Sequence, residues 1–480
     1  MAYEKIAAFH SAAEFQDFLK RENYEIPILT EMPSELKLAE KVMHRGKTIG
    51  NRWSILPMEG WDCLPDGSPS ELTRRRWLNF AKSGAKLLYG TEACAVMHSG
   101  KSNTRQLTMN EKSYDKIAAL LAEMRQLHAG KFGTADDLVI GLQLTHSGRF
   151  AHPNDDHKLE SRTAYAHPLL DKKFHSDASC IVSDGEARDI IEHYHKAAKM
   201  ALRAGFDFVD VKQAHGYLGH EFLSAVDRPG DYGGSFENRT RFFREIVEGI
   251  KSEAPGLEIS MRLSLADFFP FIKNEAGQGV AMQWDGFYPY AFGGDGTGAG
   301  WNLDEPVRFV KMAQEICGLD MVCATIGSPY YNVHIQRPAY FAVADGYPPP
   351  VHPLRNVEKN LKIVAEFKKR CPDVLIVGSG YTCLQDYLPN VGEAVLRQGG
   401  ADFIGIGRMV LSYPELCDDV LQKRPIDHCR ICRTIGDCTN APRHGLVSGC
   451  YPLDDFYKKH PHAPMLKAAK AAQAKAAVKK

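Results

Sequence analysis

Two glycine-bearing turns have the residue types of a phosphate-binding site. Gly378–Ser379–Gly380 and Gly407–Arg408 each follow a short apolar run, and each opens a helical stretch. Such turns expose backbone N–H groups beside the positive end of a helix, and the Arg408 guanidinium would add a charge-assisted contact. Glycines that serve only a tight turn would give the same residues. The presence of two such turns favours a phosphate.

Four of the twelve cysteines form a second candidate site. Their spacing is C-x2-C-x5-C-x11-C, and four thiolates can ligate a 4Fe–4S cluster. A structural zinc site would use the same number of ligands, although two C-x2-C pairs are its more usual pattern. Free thiols in a folded extension are the third interpretation. The four residues are Cys429, Cys432, Cys438 and Cys450.

The chain repeats a unit in which a helix ends at glycine and a short strand follows. Glycine at a helix end takes the left-handed conformation that other residues resist, and nearly continuous apolar runs are typical of parallel strands covered on both faces. Four stretches show this unit: Phe80–Gly90, Ala201–Val211, Gln314–Ala324 and Leu396–Gly407. The further predicted strands are Trp53–Leu56, Leu138–Leu144, Leu257–Leu263 and Val374–Val377.

Eight strands with helices between them favour a closed (β/α)8 TIM barrel, with an open Rossmann-like sheet as the alternative. Barrel enzymes place their chemistry at the C-terminal ends of the strands, and the loops after strands seven and eight often bind phosphate. Both glycine turns would stand at these two positions. Other polar groups also follow predicted strands: Pro57–Met58–Glu59, Glu92, Gln143–His146, Lys212–His215 and Arg262.

The composition of the chain argues against some classes of binding partner and cellular location. Basic and acidic residues each number 59, so the formal net charge is zero and no nucleic-acid partner is predicted. The N-terminal segment carries charges throughout and lacks the apolar core of a signal peptide. No apolar run of about 18 residues is present, so no membrane span is expected. Many cysteines lie inside apolar runs, which favours reduced thiols and a cytoplasmic enzyme.

A long motif follows the fourth predicted strand, HGYLGHEFLSAVDRPGDYGGSFENRTRFF at His215–Phe243. It resembles the motif of the old yellow enzyme family of NADH:flavin oxidoreductases. The similarity runs from about Gly46 to about Asp418 in the family's order and includes Gln143–Arg149, Pro57–Met58 and both glycine turns. It implies an FMN-containing (β/α)8 barrel that passes hydride to and from small unsaturated substrates.

The resemblance implies a role for each cofactor contact. Pro57 and Met58 would line the flavin, with Glu59 beside its reactive edge. Gln143 would hydrogen-bond the pyrimidine part of the ring. Arg262 would lie by N1 and O2, where negative charge collects on reduction, although a salt bridge inside the barrel is the alternative for this residue. The residues that would hold the FMN phosphate are Gly378, Ser379, Gly380, Gly407 and Arg408.

The resemblance assigns catalysis to Lys212, His215 and Tyr217. In the family, two donors spaced three residues apart activate the substrate carbonyl and a tyrosine supplies a proton. Lys212 stands where the family usually has histidine, and Glu59 stands where it has Cys or Thr. These two departures lead us to predict a Glu59–Lys212 ion pair. The alternatives are a surface lysine, a core histidine and a tyrosine that only packs.

The C-terminal cysteines are also similar to the cluster segment of the 2,4-dienoyl-CoA reductase and trimethylamine dehydrogenase branch. In that branch a further flavin- or ADP-binding domain follows. Here about thirty residues follow Cys450, with no strand–GxGxxG–helix unit. We therefore expect that a cluster at these cysteines would lack an internal electron source.

The predicted organisation has four parts. Residues 1–40 form an N-terminal extension, 41–425 the barrel, 426–458 a Cys-rich extension and 459–480 an Ala/Lys tail that is a frayed helix or disordered. Residues 265–303 form an aromatic insertion after the fifth strand. A loop of this length in a barrel is usually functional, so we predict a lid over a bulky apolar substrate. A packed excursion or a subunit contact of a homo-oligomer is the alternative.

Three functions are compatible with these residues. The leading hypothesis is FMN-dependent reduction, or in reverse formation, of a C=C bond conjugated to a carbonyl, with NAD(P)H as electron donor and a small apolar substrate. The second is amine oxidation of the trimethylamine dehydrogenase kind, which aromatic residues around a cation would favour. The third is a flavoprotein subunit that relays electrons within a complex.

Overall fold

A ring of parallel strands forms the centre of the computed structural model, which describes residues 3–344 and 346–478. The strands of this described part are β1 Val42–His44, β2 Lys47–Ile49, β3 Trp53–Ile55, β4 Leu87–Leu88, β5 Ala93–Ala95, β6 Val139–Thr145, β7 Phe208–Val211, β8 Glu258–Ser264, β9 Phe271–Lys273, β10 Gly279–Ala281, β11 Met321–Thr325, β12 Leu375–Gly378 and β13 Phe403–Ile406.

Eight strand positions close into a barrel. β3, β4, β6, β7, β8, β11, β12 and β13 pair in parallel, each with the next. β13 then pairs with β3, with Ile404 opposite Trp53, and this pairing closes the ring. β5 continues the second position beside the C-terminal half of β6. The predicted (β/α)8 TIM barrel is confirmed, and the open-sheet alternative is wrong.

The α-helices of the described residues lie between the strands and in the segments before and after the barrel. They are α1 Ala12–Arg21, α2 Glu71–Ala81, α3 Tyr114–Phe132, α4 Leu170–Phe174, α5 Asp184–Ala204, α6 Leu218–Leu223, α7 Phe236–Arg239, α8 Arg241–Glu253, α9 Asp304–Cys317, α10 Val333–Gln336, α11 Pro353–Arg370, α12 Leu388–Arg397, α13 Arg408–Ser412, α14 Leu416–Leu421, α15 Asp437–Arg443, α16 Asp455–Lys458 and α17 His462–Val478. Within the described residues, no helix combines the length and the apolar character needed to cross a membrane.

Glycine ends the helices where the repeated unit predicts it. Gly205 follows α5 with φ 94°, and Gly318 follows α9 with φ 67°, both in the left-handed region. Each turn leads within a few residues into a buried strand, β7 and β11. Glycine adopts this conformation without the steric cost that a Cβ would add, so the chain can reverse quickly from helix to strand.

The barrel interior holds an apolar cluster that is separate from the shell between strands and helices. Tyr89, Phe208 and Phe403 belong to this cluster, together with Val42 and Ile49 from the β1–β2 hairpin. The hairpin therefore covers apolar residues of the barrel, and the packing leaves the polar strand ends at the other side.

Chain segments outside the barrel pack on it at both termini. Phe15 in α1 stacks on Tyr387, and the Glu393 carboxylate accepts hydrogen bonds from the backbone of Lys37 and Leu38. The predicted tail is helical up to Val478, and Lys479–Lys480 lie outside the described residues.

Candidate active site

The two glycine turns lie side by side at one edge of the barrel mouth. β12 and β13 are paired neighbours, with Gly378 opposite Ile404, so the turns after them are adjacent. Gly380 has φ 87°, and a Cβ on Gly378 would lie 2.6 Å from the Tyr381 hydroxyl. Both positions therefore require glycine. The Met58 sulfur lies 3.7 Å from where a Cβ of Gly407 would be, which brings the turn after β3 to the same edge.

Side chains around these turns are held by the backbone. Ser379 Oγ donates to the Ala324 carbonyl at 2.8 Å, and Asn360 donates to the Ser379 carbonyl at 2.6 Å. Arg408 Nη2 donates to the Pro338 carbonyl at 3.1 Å. Arg408 Nη1, by contrast, is buried with no hydrogen-bond partner among the described residues. A buried guanidinium donor without a partner is costly, so this arrangement fits an anion at the turns.

The Asp210 carboxylate, which was not predicted from the sequence, connects Gln143 and Arg262, the two residues predicted to contact the flavin ring. The Gln143 side-chain amide donates to Asp210 Oδ2 at 2.5 Å, and the backbone N–H of Arg262 donates to Asp210 Oδ1 at 2.5 Å. Burial raises the pKa of Asp210 to about 6, against the opposing effects of these hydrogen bonds and of Arg262 and Lys212. The signal was an acidic residue inside the otherwise apolar strand β7.

Arg262 lies near the C-terminal end of β8, opposite Cys323 of the apolar cluster in the barrel interior. Its side chain is buried, and its Nε has no hydrogen-bond partner among the described residues. Within the described residues Arg262 takes part in no ion pair. The alternative prediction for Arg262, a salt bridge inside the barrel, is therefore wrong.

His215 occupies a strained backbone position that neighbouring hydroxyls hold. Its φ is 70°, in the left-handed region that disfavours a side chain. Its N–H donates to Ser264 Oγ at 3.1 Å, and Ser328 Oγ donates to its carbonyl at 2.7 Å. The Gln336 amide nitrogen lies 3.1 Å from the imidazole Nε2. Ser328 and Gln336 were not predicted from the sequence, because the segment from β11 to the end of α10 carries no recognisable motif.

The His215 imidazole is neutral. Burial lowers its pKa well below the usual value of 6.5, and the charges of Arg262 and Lys212 lower it further. A neutral imidazole carries one N–H and one acceptor nitrogen. The Gln336 contact therefore determines which nitrogen carries the proton.

Tyr217 lies at the centre of a polar chain. Its hydroxyl donates to Glu59 Oε1 at 2.8 Å and lies 3.0 Å from the Tyr330 hydroxyl. Ser102 Oγ donates to the other Glu59 oxygen at 2.6 Å. The Lys212 ammonium nitrogen lies 3.4 Å from the centroid of the Tyr217 ring, in cation–π geometry.

The predicted Glu59–Lys212 ion pair is wrong. No pair of their charged atoms lies within salt-bridge distance in the described part of the chain, because hydroxyl donors occupy both Glu59 oxygens and the Tyr217 ring face holds the ammonium. Lys212 is buried and not a surface lysine. Burial lowers its pKa to about 7, the Glu59 and Asp210 charges oppose this shift, and the Arg262 charge adds to it.

A cavity of about 490 Å³ opens above this chain. Glu59 and Tyr330 line it, with Trp61 and with Phe150, whose ring stacks on Tyr330 at 4.0 Å between centroids and 10° between planes. The segment after the barrel forms another wall of the same cavity, with Cys438, Thr439, Pro442, Arg443 and Gln473.

Cys432, Cys438 and Cys450 are near enough for their charges to act on one another. Burial raises the pKa of Cys450, and the charges of Cys432 and Cys438 raise it further. Cys429 is exposed. Among the described residues, the one set of three metal-type ligand atoms within 4.8 Å of one another is Asp62, Cys63 and Glu92, so the C-terminal sulfurs do not form a tight cage.

Guanidinium groups face these thiols. Arg337 Nη2 donates to the Cys438 sulfur at 3.7 Å, and Arg408 opposes the rise that burial causes in the pKa of Cys432. Burial lowers the pKa of Arg337 to about 10, and the nearby Arg408 charge lowers it further. The cysteine segment and the glycine turns therefore share one cationic region.

The Asp62, Cys63 and Glu92 set is already saturated. The Arg76 guanidinium contacts both carboxylates, and Glu92 also accepts hydrogen bonds from the Trp77 indole and the Gly60 backbone N–H. This buried ion cluster braces the turn after β3, and it leaves no ligand position for a metal.

The two glycine turns lie beside Arg408, and Gln143 and Arg262 are connected through Asp210 at the ends of neighbouring strands. This arrangement is typical of a flavin-type barrel oxidoreductase. The chain belongs to the NADH:flavin oxidoreductase / NADH oxidase family, whose sequence model matches residues 42–284. The resemblance to this family that the motifs indicated is confirmed, and the protein is an oxidoreductase.

The chain is also similar in sequence to NADPH dehydrogenases and in fold to solved oxidoreductase structures. The chain is 31% identical over 326 residues to an NADPH dehydrogenase of Bacillus cytotoxicus, covering 67% of this chain and 74% of that protein. A 2-naphthoyl-CoA reductase structure has a TM-score of 0.65 at 18% identity, and histamine dehydrogenase from Rhizobium sp. 4-9 has 0.61 at 22%. These alignments cover 90% and 88% of this chain but 58% and 53% of those two, so the two structures support the fold alone.

The residues at the barrel mouth fit FMN. Several buried donors have no partner among the described residues, and three of them belong to predicted cofactor contacts or stand directly beside them: Arg262 Nε, Arg408 Nη1 and the Tyr381 hydroxyl. Arg408 and Tyr381 stand at the glycine turns, and Arg262 lies in β8. This set matches a ligand with a phosphate at one end and an electron-rich ring at the other.

Proposed function

We propose that the protein binds FMN at the barrel mouth and reduces C=C bonds conjugated to a carbonyl, with NAD(P)H as electron donor. Bound FMN would supply the hydride chemistry that connects the nicotinamide with the β-carbon of the substrate. The observation that supports the proposal is the grouping of Lys212, Tyr217 and His215. The Lys212 nitrogen lies over the Tyr217 ring, Ser264 of β8 holds the His215 backbone, and the charges of Lys212 and Arg262 both act on the His215 imidazole.

The turns after β12 and β13 would hold the phosphate. Gly378, Ser379 and Gly380 offer backbone N–H groups, and Arg408 Nη1 offers a buried charge-assisted donor. Gln143 would hydrogen-bond the ring edge, and Asp210 fixes it in place through the bond at 2.5 Å. Pro57 and Met58 would cover one face of the ring.

Lys212 and His215 would bind the carbonyl oxygen of the substrate. Negative charge develops on this oxygen as the C=C bond is reduced, and donors aimed at it stabilise the transition state most in a dry site. Both side chains are buried. Tyr217 would hold the proton for the α-carbon, because Glu59 and Tyr330 fix its hydroxyl.

Amine oxidation is the second candidate. Trp61, Phe150 and Tyr330 give the cavity aromatic walls, and Glu59 adds a carboxylate. Aromatic faces and a negative charge favour a cationic amine. The fold similarity to histamine dehydrogenase is compatible with this candidate.

We also propose a 4Fe–4S cluster at the C-terminal cysteines. The charges of Cys432, Cys438 and Cys450 act on one another, and Arg337 and Arg408 stabilise negative charge beside them. A cluster is wider than a single zinc ion, so its ligand sulfurs need not converge as closely. Cys429 would supply the fourth ligand. A cluster predicts about four iron atoms per chain by metal analysis and a broad visible absorbance beside the flavin bands.

The test of the main proposal uses purified protein, 2-cyclohexen-1-one and a primary amine as alternative substrates. We expect a flavin spectrum, NAD(P)H-dependent reduction of the enone, and loss of that reduction in His215→Ala with flavin content unchanged. His193→Ala, on the outer helix α5, is the matched control. Turnover of the amine without the enone would select the second candidate, and full enone turnover in His215→Ala would refute the donor assignment.

A further inference from the structure

We propose that Tyr330 returns protons to Tyr217, as the middle member of a chain that runs from cavity water to the substrate's α-carbon. This role rests on the proposed enone reduction and adds a residue to it. Tyr330 comes from the loop after β11, outside the motif-bearing part of the sequence. It would act through Tyr217 and need not touch the substrate.

The hydrogen bonds give this chain a direction. The Tyr217 hydroxyl has a single proton, and it donates that proton to Glu59 Oε1 at 2.8 Å. A carboxylate oxygen accepts only, so Tyr217 must be the donor in that bond. The Tyr330 hydroxyl, 3.0 Å from the Tyr217 oxygen, is then the donor to Tyr217. The proton of Tyr330 already points along the path that the relay requires.

Burial makes a relay necessary. The Tyr217 side chain is 1% exposed, so a proton that it gives away cannot be replaced directly from bulk water. Tyr330 and Glu59 both line the cavity of about 490 Å³, so these two neighbours connect Tyr217 to water. The Phe150 stack holds the Tyr330 ring in plane, and Ser102 holds Glu59 at 2.6 Å. The geometry of the chain is therefore fixed from both ends.

The proton steps balance. The Tyr217 O–H bond breaks as a C–H bond forms at the α-carbon. In the same step the Tyr330 O–H bond breaks as the Tyr217 O–H bond re-forms, so two protons move together and Tyr330 is left as the phenolate. A cavity water gives a proton to Tyr330 and leaves as hydroxide. The transfer between two phenols is nearly level in energy, and the Lys212 nitrogen over the Tyr217 ring stabilises the transient negative charge when protonated.

The Glu59 carboxylate accepts the hydrogen bond of Tyr217 and so affects the acidity of that hydroxyl. Burial raises the pKa of Tyr217 well above its usual value, and the Glu59 and Tyr330 contacts raise it further. Tyr217 therefore keeps its proton until the substrate carbon takes it, and it recovers a proton readily. Glu59 would hold the phenol as an acid, while Tyr330 would supply the replacement.

The experiment compares full-length, FMN-loaded wild type with Tyr330→Phe. The matched control is Tyr331→Phe, because Tyr331 is the neighbouring buried tyrosine and donates to Asp267 at 2.6 Å instead. Flavin reoxidation by 2-cyclohexen-1-one is followed by stopped flow in mixtures of H2O and D2O. We expect a curved dependence on deuterium content in wild type and Tyr331→Phe, which indicates more than one proton in flight. Tyr330→Phe should give a straight line and a rate lower by roughly 10–100-fold, with flavin reduction by NADPH unchanged.

A second measurement does not depend on turnover. In protein labelled at the tyrosine ζ-carbon, the Tyr217 resonance, assigned with Tyr217→Phe, should shift in Tyr330→Phe and stay in place in Tyr331→Phe. An unshifted Tyr217 resonance, or a curved deuterium dependence retained in Tyr330→Phe, would overturn the relay. So would a straight line in Glu59→Gln combined with a curve in Tyr330→Phe, because the proton would then come through the carboxylate. Failure of wild type with every enone would refute the proposed function, and the resonance shift would still decide whether the chain exists.

Discussion

Lys212 should impose a pH limit on enone reduction. Its pKa is about 7 instead of the usual 10.5, a difference equivalent to roughly 5 kcal/mol against the charged form. Burial is the main cause, the Arg262 charge adds to it, and the Glu59 and Asp210 charges oppose it. The side chain is an ammonium below about pH 7 and an amine above it. Only the ammonium adds a full positive charge to the developing enolate.

The sign of the effect follows from this titration. As pH rises through about 7, the rate constant for flavin reoxidation by the enone should fall. Lys212→Arg should abolish this fall in rate, because a guanidinium stays charged far above this pH range. Lys212→Met should slow the step by roughly 100-fold at pH 6 and far less at pH 9, the scale for loss of one oxyanion donor.

The assay is stopped-flow reoxidation of pre-reduced enzyme between pH 5.5 and 9, at saturating 2-cyclohexen-1-one. His215 does not confuse the profile, because its pKa lies well below 6.5. Asp210, with a pKa of about 6, is the other group that titrates nearby, and Asp210→Asn separates its contribution. If the rate constant still fell with rising pH in Lys212→Arg, or did not change with pH in wild type, this role of Lys212 would be refuted.

Two further predictions concern the residues that hold the site. Asp210 has a pKa of about 6 when folded against about 3.9 when unfolded, so stability of the flavin-free protein should decline by roughly 3 kcal/mol as pH rises from about 4 to 6. Urea unfolding of Asp210→Asn should lack that decline, and an unchanged pH slope would contradict the buried ionisation. Gln336→Met should lower kcat/KM for the enone about fivefold by releasing the His215 tautomer, the scale of one hydrogen bond. Gln336→Glu, which keeps an acceptor but not the donor, should fail to restore it, and wild-type kinetics in both variants would exclude a positioning role.

The strands and their ends were predictable because their signals are local. An apolar run after a helix-ending glycine predicts a buried parallel strand, and β7 and β11 lie where that pattern puts them. The polar residues after each strand then share one edge of the barrel. Gln143 and Arg262 were named on that basis, and Asp210 between them had the weaker signal of one acid in an apolar strand.

The partners of the site residues were not predictable in the same way. Tyr330 lies in the loop after β11 and Gln336 ends α10, each more than a hundred residues from the partner it contacts, Tyr217 or His215. No residue pattern predicts these contacts. The Glu59–Lys212 ion pair was a reasonable expectation from charge alone. It failed because nearby hydroxyls compete for the carboxylate, and such competition depends on side-chain geometry that sequence spacing does not encode.

The wall of the cavity that α15 supplies has a consequence for how this enzyme could diversify. Cys438, Pro442 and Arg443 lie beyond the last barrel strand, yet they line the same space as Glu59 and Tyr330. Thr439 and Pro442 line the cavity from this segment but belong to no barrel strand and to none of the groups assigned to the chemistry. Substitutions at these two positions could therefore change which molecules enter the cavity.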